Sequence, residues 1–322
     1  MRLRLPWFRK KQVEKPPPPP LATVMATQTE ETGRTSSEQG SDILHNSKVE
    51  SEELGALAKL PPFRPVVISL VRMFDRDDVK LDEVASLIQG DPSLVSEILA
   101  VVNSALFGFQ RNVANASHAI SLLGVERTKS LAATLAMRAM MQGAPRTPVV
   151  RRFWVHSIAT ATIAKSFASS FGVEPELSNV TALMHDLGRS GLLAAHPAEY
   201  SRVALSAHAN TEEILAAEET AFGMTHCHAG RLLARAWNLP AAFHEVAGHH
   251  HDAGSTKPGV ALVQLACRLA DDFMFQAIHR TDTQKPADTI AKYAPERLRT
   301  RLEGQLESVT AAVDAAIQTL DF

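Results

Sequence analysis

Two adjacent side chains, His185 and Asp186, have the chemistry of a metal-binding pair. They follow the apolar segment 182–184, and this pattern predicts a helical turn that ends at Gly188. An imidazole is a borderline ligand and a carboxylate a hard one, so both can bind one divalent ion. A buried histidine that only donates a hydrogen bond to a carboxylate is the alternative interpretation, and the pair alone does not decide between the two.

Histidine is concentrated around this pair. Ten of the 13 histidines lie between His156 and His251, where an even distribution would place about four. His156 lies among apolar positions of a predicted helix and can point into the core with them. Because a buried histidine needs a polar partner, His156 is a candidate member of the same site.

Two further segments could contribute to the site. Glu219 and His226 are seven residues apart, and they would share one face of an unbroken helix. Gly223 between them leaves the continuity of that helix open. The run 249–251 consists of three histidines, which cannot all point in one direction. One or two of them could bind a metal, and we expect His249 to face the solvent.

The elements that must position these residues are helices. Apolar residues recur about every 3.6 positions, as in the stretch Leu81–Ile88, and no alternating strand pattern competes. Asp91 is a typical helix N-cap because Pro92 follows it at the first helical position. A second helical block begins after Pro148 and carries most of the histidines. The sequence therefore predicts an all-α fold.

Both ends of the chain differ from this helical part. The N-terminal stretch contains a five-proline run, Pro16–Pro20, and then many Thr, Ser, Glu, Gln and Gly residues. Such a composition has too few large apolar residues to offset the entropy of ordering, so we expect residues 1–58 to be disordered. The stretch Leu298–Leu320 has an amphipathic pattern, which predicts a helix that either caps the core or pairs with another subunit.

Composition argues against several classes of protein. The 33 basic and 35 acidic residues nearly balance, so nucleic-acid binding is not expected. No apolar run is long enough for a transmembrane helix. The two cysteines form no CxxC motif, which favours a reducing cytoplasm. Neither the phosphate-binding GxxxxGK[ST] motif nor the GxSxG nucleophile motif occurs.

The first 15 residues contain six basic side chains around Trp7 and Phe8. They include no apolar stretch of the kind that defines a secretory signal. Two interpretations stay open for this segment. It either contacts an anionic membrane surface or is part of a solvated, disordered tail.

The order of the motifs resembles a known superfamily. The HD superfamily of metal-dependent phosphohydrolases has the same succession as His156, His185-Asp186, Glu219, His226 and His250-His251. The N-terminal half is similar to the HDOD branch, the HD-related output domain. The motifs that carry this second resemblance are Leu60-Pro61-Pro62, Asp91-Pro92, Asn103-Ser104-Ala105 and Ala119–Gly124. Together the resemblances cover residues 60–275.

The resemblance implies an architecture and a role. A helical N-terminal subdomain of residues 59–144 would pack on an HD-like helical subdomain of residues 145–275, followed by a C-terminal helical segment of residues 276–322. The implied role is a regulatory or scaffolding module of bacterial signal transduction, with other signalling proteins as partners. A nucleotide second messenger is a further candidate partner, and the C-terminal helix is a candidate oligomer contact.

The resemblance also implies a divalent-metal site, with iron, manganese or zinc as the candidate ions. Asp186 would bridge the ions and is the best candidate for a catalytic residue. By motif matching, the implied metal ligands are His156, His185, Asp186, Glu219, His226, His250 and His251.

Three departures from the enzyme pattern weaken the implied activity. Cys267 falls at the position of the closing aspartate, with Asp271 one turn later. Arg189 stands where the cyclic di-GMP enzymes of the superfamily carry lysine, and no Gly-Tyr-Pro signature follows His251. A thiolate at Cys267 would shift the metal preference towards softer ions such as zinc or iron. The sequence thus favours a regulatory scaffold, with a metal-dependent phosphohydrolase acting on a nucleotide or cyclic nucleotide as the alternative.

Overall fold

Helices make up the structure of this protein. The computed structural model describes residues 54, 55, 57, 60, 64–104, 113–143, 147–252 and 254–318. Within these residues, β pairing is limited to an isolated bridge between His208 and Arg280. The predicted all-α class is therefore confirmed.

The first half is a bundle of short helices. Side-chain caps define two of their starts, because Asp91 accepts a hydrogen bond from the Leu94 N–H and Asn115 accepts one from the His118 N–H. α4 packs on α2 and α3, and the longer α5 lies against α1. The helices are α1 (Pro65–Arg72), α2 (Leu81–Gln89), α3 (Pro92–Val102), α4 (Ala116–Leu123) and α5 (Val125–Gly143).

The second half surrounds one long helix, α6, of 24 residues, which is about 36 Å in length. The helices of this half are α6 (Pro148–Phe171), α7 (Pro175–Leu183), α8 (Leu187–Ala195), α9 (Pro197–Leu205), α10 (Thr211–Phe222), α11 (His226–Ala236), α12 (Ala241–His249) and α13 (Pro258–Asp272). α7 and α13 pack along α6, and α8 packs on α11. Trp154 and Phe167 of α6 are buried in this core.

The C-terminal segment packs on α13 and α6. It contains α14 (Pro286–Tyr293), α15 (Arg299–Glu303) and α16 (Leu306–Gln318). The predicted single helix is interrupted at Gly304, between α15 and α16. α16 packs on α6 and buries Val309 and Val313. Its apolar face therefore caps the core, and oligomerisation through this helix stays a prediction that would need another face.

The two halves are joined by helix packing and, near the surface, by hydrogen bonds from Arg72. α5 contacts α7, and α1 reaches the end of α11 through a side chain. The guanidinium of Arg72 donates to the carbonyl oxygens of Asn238 at 2.8 Å and Trp237 at 3.1 Å. These carbonyls follow the last turn of α11, where helix acceptors lack backbone partners.

The predicted disordered arm of residues 1–58 lies outside the described residues except for Leu54, Gly55 and Leu57. Here the structure corrects the predicted boundary, because Leu54 and Leu57 are buried in the hydrophobic core. The Leu57 side chain lies against Gly191 of α8. Leucines three residues apart lie on the same face of a helix, so both can reach the core.

Among the described helices, none is by itself long and apolar enough to cross a membrane. The pair α2 and α3, bent by 116° at its break, meets the length and composition test only when both are taken together. The basic N-terminal segment around Trp7 lies outside the described residues.

Candidate metal centre

The His185-Asp186 pair lies in a break between two helices. α7 ends at Leu183, residues 184–186 form a turn, and α8 begins at Leu187. The predicted helix end at Gly188 is wrong, because this glycine lies inside α8. Asp186 precedes α8, but its side chain accepts no capping hydrogen bond from the helix. Its carboxylate is therefore available to the groups around it.

Gly188 has a packing role instead. A Cβ at this position would overlap the His226 carbonyl oxygen and lie 2.5 Å from the Gly230 nitrogen. Only glycine therefore permits the close approach of α8 and α11. This approach brings Asp186 at the start of α8 next to His226 at the start of α11.

Four buried histidines share one arrangement of hydrogen bonds. In each, Nδ1 contacts an oxygen acceptor, so Nδ1 carries the proton and Nε2 of the neutral ring carries the lone pair. The four Nδ1 contacts are His156 to Phe275 O (2.8 Å), His185 to Ala182 O (2.7 Å), His226 to Glu218 Oε2 (2.6 Å) and His250 to Val246 O (3.0 Å).

The Nε2 atoms of these histidines converge on Asp186. His226 and His250 lie 3.3 Å from Oδ1. His185 and His156 lie 3.5 and 3.8 Å from Oδ2. Each carboxylate oxygen therefore faces two imidazole lone pairs, an arrangement that suits a cation between them and disfavours direct contact.

Several buried atoms at this point have no hydrogen-bond partner among the described residues. Buried polar atoms are nearly always hydrogen-bonded, and an orphan costs about 1–3 kcal/mol. Four orphans in one cluster indicate that the residues fit a bound cation. These atoms are Asp186 Oδ1, His185 Nε2, His250 Nε2 and His251 Nε2.

Both cysteines of the chain reach the cluster. Cys267 Sγ lies 3.5 Å from His156 Nε2, and Cys227 Sγ lies 3.6 Å from His226 Nε2. Asp271 contacts the other side of the His156 ring, with Oδ1 3.4 Å from Nδ1, and pairs with Arg280. Cys267 lies beside the site, as its position in the motif pattern predicted, whereas the sequence patterns did not single out Cys227. Its position directly after His226 was the available signal.

The structure corrects the prediction for Glu219, which is exposed and lies outside the cluster. Its neighbour Glu218 is buried on the same face of α10 as Ile214 and contacts His226. The prediction failed because the helix is not continuous. α10 ends before Gly223, which has a left-handed φ of 69°, and α11 begins at His226.

Arg189 connects the two buried carboxylates. Its Nε donates to Asp186 Oδ2 at 2.8 Å, and its Nη1 donates to Glu218 Oε1 at 3.1 Å. The Tyr200 hydroxyl donates to the same Glu218 oxygen at 2.7 Å. This guanidinium holds both carboxylates in place, but one oxygen of Asp186 keeps no hydrogen-bond donor.

Burial controls the charges of the cluster. Desolvation lowers the pKa of His185, His226 and His251, so these rings are neutral near pH 7. Burial alone would raise the pKa of Asp186, but Arg189 and the surrounding histidines hold it well below the usual value. Desolvation raises the pKa of the Cys227 and Cys267 thiols well above the usual value. Without a cation, the cluster therefore combines an ionised carboxylate with neutral imidazoles and thiols.

The described residues leave little open space at the cluster. His185, His226 and His250 are fully buried. A cavity of about 10 Å³ beside Arg189 and Cys267 has room for about one water molecule.

The first member of the histidine run differs from the other two in its exposure. His249 is exposed, as expected, and its Nδ1 contacts Asp252 at 2.7 Å. His250 is buried and His251 is half-buried, and both point towards His226. The structure thus brings together six of the seven predicted ligands, and Glu219 is the exception.

Comparison with known proteins identifies the family of this fold. A family model described as the HDOD domain matches residues 60–253. An uncharacterised protein of Treponema pallidum is 22% identical over 266 residues, which cover 80% of this chain and 50% of that protein. The chain therefore spans about half the length of this curated relative.

Solved structures share the fold. An HDOD domain protein of unknown function from Geobacter sulfurreducens is 23% identical with a TM-score of 0.64, covering 84% of this chain and 97% of that one. A candidate phosphohydrolase from Shewanella amazonensis is 17% identical with a TM-score of 0.60, covering 82% and 97%. A candidate metal-dependent phosphohydrolase from the same organism is 18% identical with a TM-score of 0.54, covering 84% and 98%. At these identities the likeness concerns the fold alone.

Proposed function

The chain belongs to the HDOD family, and from this membership we propose that it is a regulatory module of signal transduction whose buried cluster holds divalent metal. Other signalling proteins are the proposed partners. One observation supports the metal, namely the convergence of four Nε2 lone pairs on Asp186 while each Nδ1 is held by an acceptor. Hydrogen bonds of this kind orient metal-binding histidines and fix their tautomers.

The residues that would hold metal are His156, His185, Asp186, His226, His250 and His251. A divalent ion there would supply positive charge and Lewis acidity towards a phosphoryl oxygen. The chain's own residues prepare the site. Glu218 fixes the ring of His226, and Arg189 keeps Asp186 ionised and oriented.

Closure of the site favours a regulatory role over turnover. Ligand pockets for small molecules have volumes of several hundred Å³, on the order of 300–1,000 Å³. The cavity beside the cluster, about 10 Å³, is far below that range. A nucleotide would reach Asp186 only after a rearrangement of α8, α10 or α13, whose side chains enclose it.

A metal-dependent phosphohydrolase is the second candidate. Two guanidiniums, those of Arg189 and Arg280, line the cavity beside the cluster, and arginine is well suited to bind phosphoryl oxygens. Two of the structures that share the fold are candidate phosphohydrolases. This function would use the same metal-binding residues, but the cavity beside the cluster would have to open to admit a substrate.

Hydrolysis of a nitrophenyl phosphodiester separates these candidates. Protein without a His-tag would be loaded anaerobically with zinc, manganese or iron and compared with Asp186→Ala. We expect equal background rates, together with a metal-dependent rise in melting temperature of the wild type alone. A metal-dependent rate that Asp186→Ala abolishes and the exposed control Glu219→Ala retains would instead establish the phosphohydrolase.

A further inference from the structure

Two groups of candidate donor atoms contain one cysteine each, and a third group, His185, Asp186 and His250, connects them. The first group is His156, His185 and Cys267, and the second group is His226, Cys227, His250 and His251. Within each group, one donor atom per residue lies within 4.8 Å of the others. Asp186 presents Oδ2 to the first group and Oδ1 to the second.

The spacing of these atoms matches the edges of a tetrahedral zinc shell. With Zn–N near 2.05 Å and Zn–S near 2.3 Å, a tetrahedron has N···S edges of about 3.6 Å and N···O edges of about 3.4 Å. The N···S distances are 3.5 Å at Cys267 and 3.6 Å at Cys227. The N···O distances from His226 and His250 to Asp186 are both 3.3 Å.

Charge balance also favours thiolates. Asp186 and Glu218 against Arg189 leave one net negative charge in the cluster, since Asp271 and Arg280 compensate each other. Two divalent ions would turn this into a net charge of three positive. Two thiolates would reduce it to one positive, and buried uncompensated charge is costly.

We propose that this cluster is a two-ion centre in which each ion has one thiolate ligand, Cys267 in the first group and Cys227 in the second, with Asp186 bridging the ions. This inference rests on the proposed function, because it assigns ligands within the same metal site. Each thiol loses its proton to solvent when the ion binds.

Cys267 takes the place of the missing closing carboxylate, so the first group offers three side-chain donors, His156, His185 and Cys267. The second group offers four donors. Sites with four protein ligands are typical of structural metal ions, because catalytic sites keep a position for water or substrate. Thiolate ligands select zinc over manganese.

Titration of the metal-free full-length protein with cobalt(II) tests this assignment. Cobalt bound to thiolate gives a sulfur-to-metal absorption band in the near ultraviolet, which nitrogen and oxygen ligands do not give. We expect saturation at two cobalt ions per chain, with about half of the band lost in Cys227→Ser, about half in Cys267→Ser, and all of it in the double variant. His249→Ala is the matched control, and its band should equal that of the wild type.

X-ray absorption of the zinc-loaded wild type gives a second readout that needs no variant. We expect one sulfur per zinc at about 2.3 Å. Cobalt binding without the band, a shell without sulfur, or a band that either single variant leaves intact would overturn the thiolate assignment while the proposed metal site stands. Absence of metal binding would overturn both.

Discussion

The carboxylate of Glu218 accepts a hydrogen bond from the Nδ1–H of His226 at 2.6 Å, and the same oxygen accepts one from the backbone N–H of His226 at 2.8 Å. Two hydrogen bonds from one residue fix the ring at the start of α11. They leave His226 Nε2 facing Asp186. The other oxygen of Glu218 binds Arg189 and Tyr200, so this single carboxylate connects α8, α9, α10 and α11.

Replacing Glu218 by alanine should weaken both the fold and the metal site. The change leaves Arg189 and His226 buried without their partner, and loss of one member of a buried pair costs about 3–5 kcal/mol. Loss of a carboxylate that orients a metal-binding histidine lowers metal affinity by about 10–100-fold. Urea unfolding and competition with a zinc chelator measure the two effects.

Glu219→Ala is the matched control for this change. Glu219 is exposed, so its removal should change the free energy of unfolding by no more than about 0.5 kcal/mol. Equal effects of the two substitutions would show that the helix phase assigned to α10 is wrong.

Gly188→Ala should disrupt the contact of α8 with α11. The added methyl group would overlap the His226 carbonyl, a backbone atom that cannot move away alone. Overpacking of this kind typically costs about 1–3 kcal/mol or more, and separation of the helices would also reduce metal binding. Gly259→Ala in α13 meets no atom within 4 Å, and its effect should stay within about 1 kcal/mol. Chemical unfolding of both variants provides the comparison.

The metal-free protein should lose stability as the pH falls below about 6.5, the pKa of an unfolded histidine. Burial lowers the pKa of His185, His226 and His251, so below that pH the unfolded chain binds protons that the folded chain does not. Each of these histidines then lowers the free energy of unfolding by about 1.4 kcal/mol per pH unit. Burial raises the pKa of Asp271, so the folded chain binds a proton there more readily than the unfolded chain does. This stabilises the folded state as the pH falls, but it involves one proton, against three for the histidines.

Urea midpoints of the metal-free protein at about pH 7.5 and 5.5, on either side of the histidine pKa, measure this effect. We expect a clearly lower midpoint at the acidic pH. Equal midpoints would contradict neutral histidines in the cluster.

Much of this architecture was predictable because it depends on local patterns. The apolar period predicted the helices, and the Asp91-Pro92 start of α3 occurs where the N-cap signal placed it. Six of the seven predicted ligands meet in space because their motifs follow the order of a known family. A family pattern carries long-range information that periodicity alone lacks.

The remaining features depend on tertiary contacts. Glu219 was chosen over Glu218 because the spacing to His226 assumed a continuous helix, which Gly223 interrupts. The four-residue spacing of Ile214 and Glu218 was the signal that could have identified the buried carboxylate. Gly188 was interpreted as a helix end because nothing local in the sequence shows that α11 packs against it.

Metal content is the most direct test of the central claim that this cluster binds divalent metal. Elemental analysis of protein without a His-tag, after anaerobic loading and removal of free ions, should compare the wild type with His250→Ala and the adjacent exposed control His249→Ala. We expect stoichiometric metal in the wild type and in His249→Ala, and a large loss in His250→Ala. No stoichiometric metal in the wild type, or equal content in all three proteins, would show that the cluster is not a metal site.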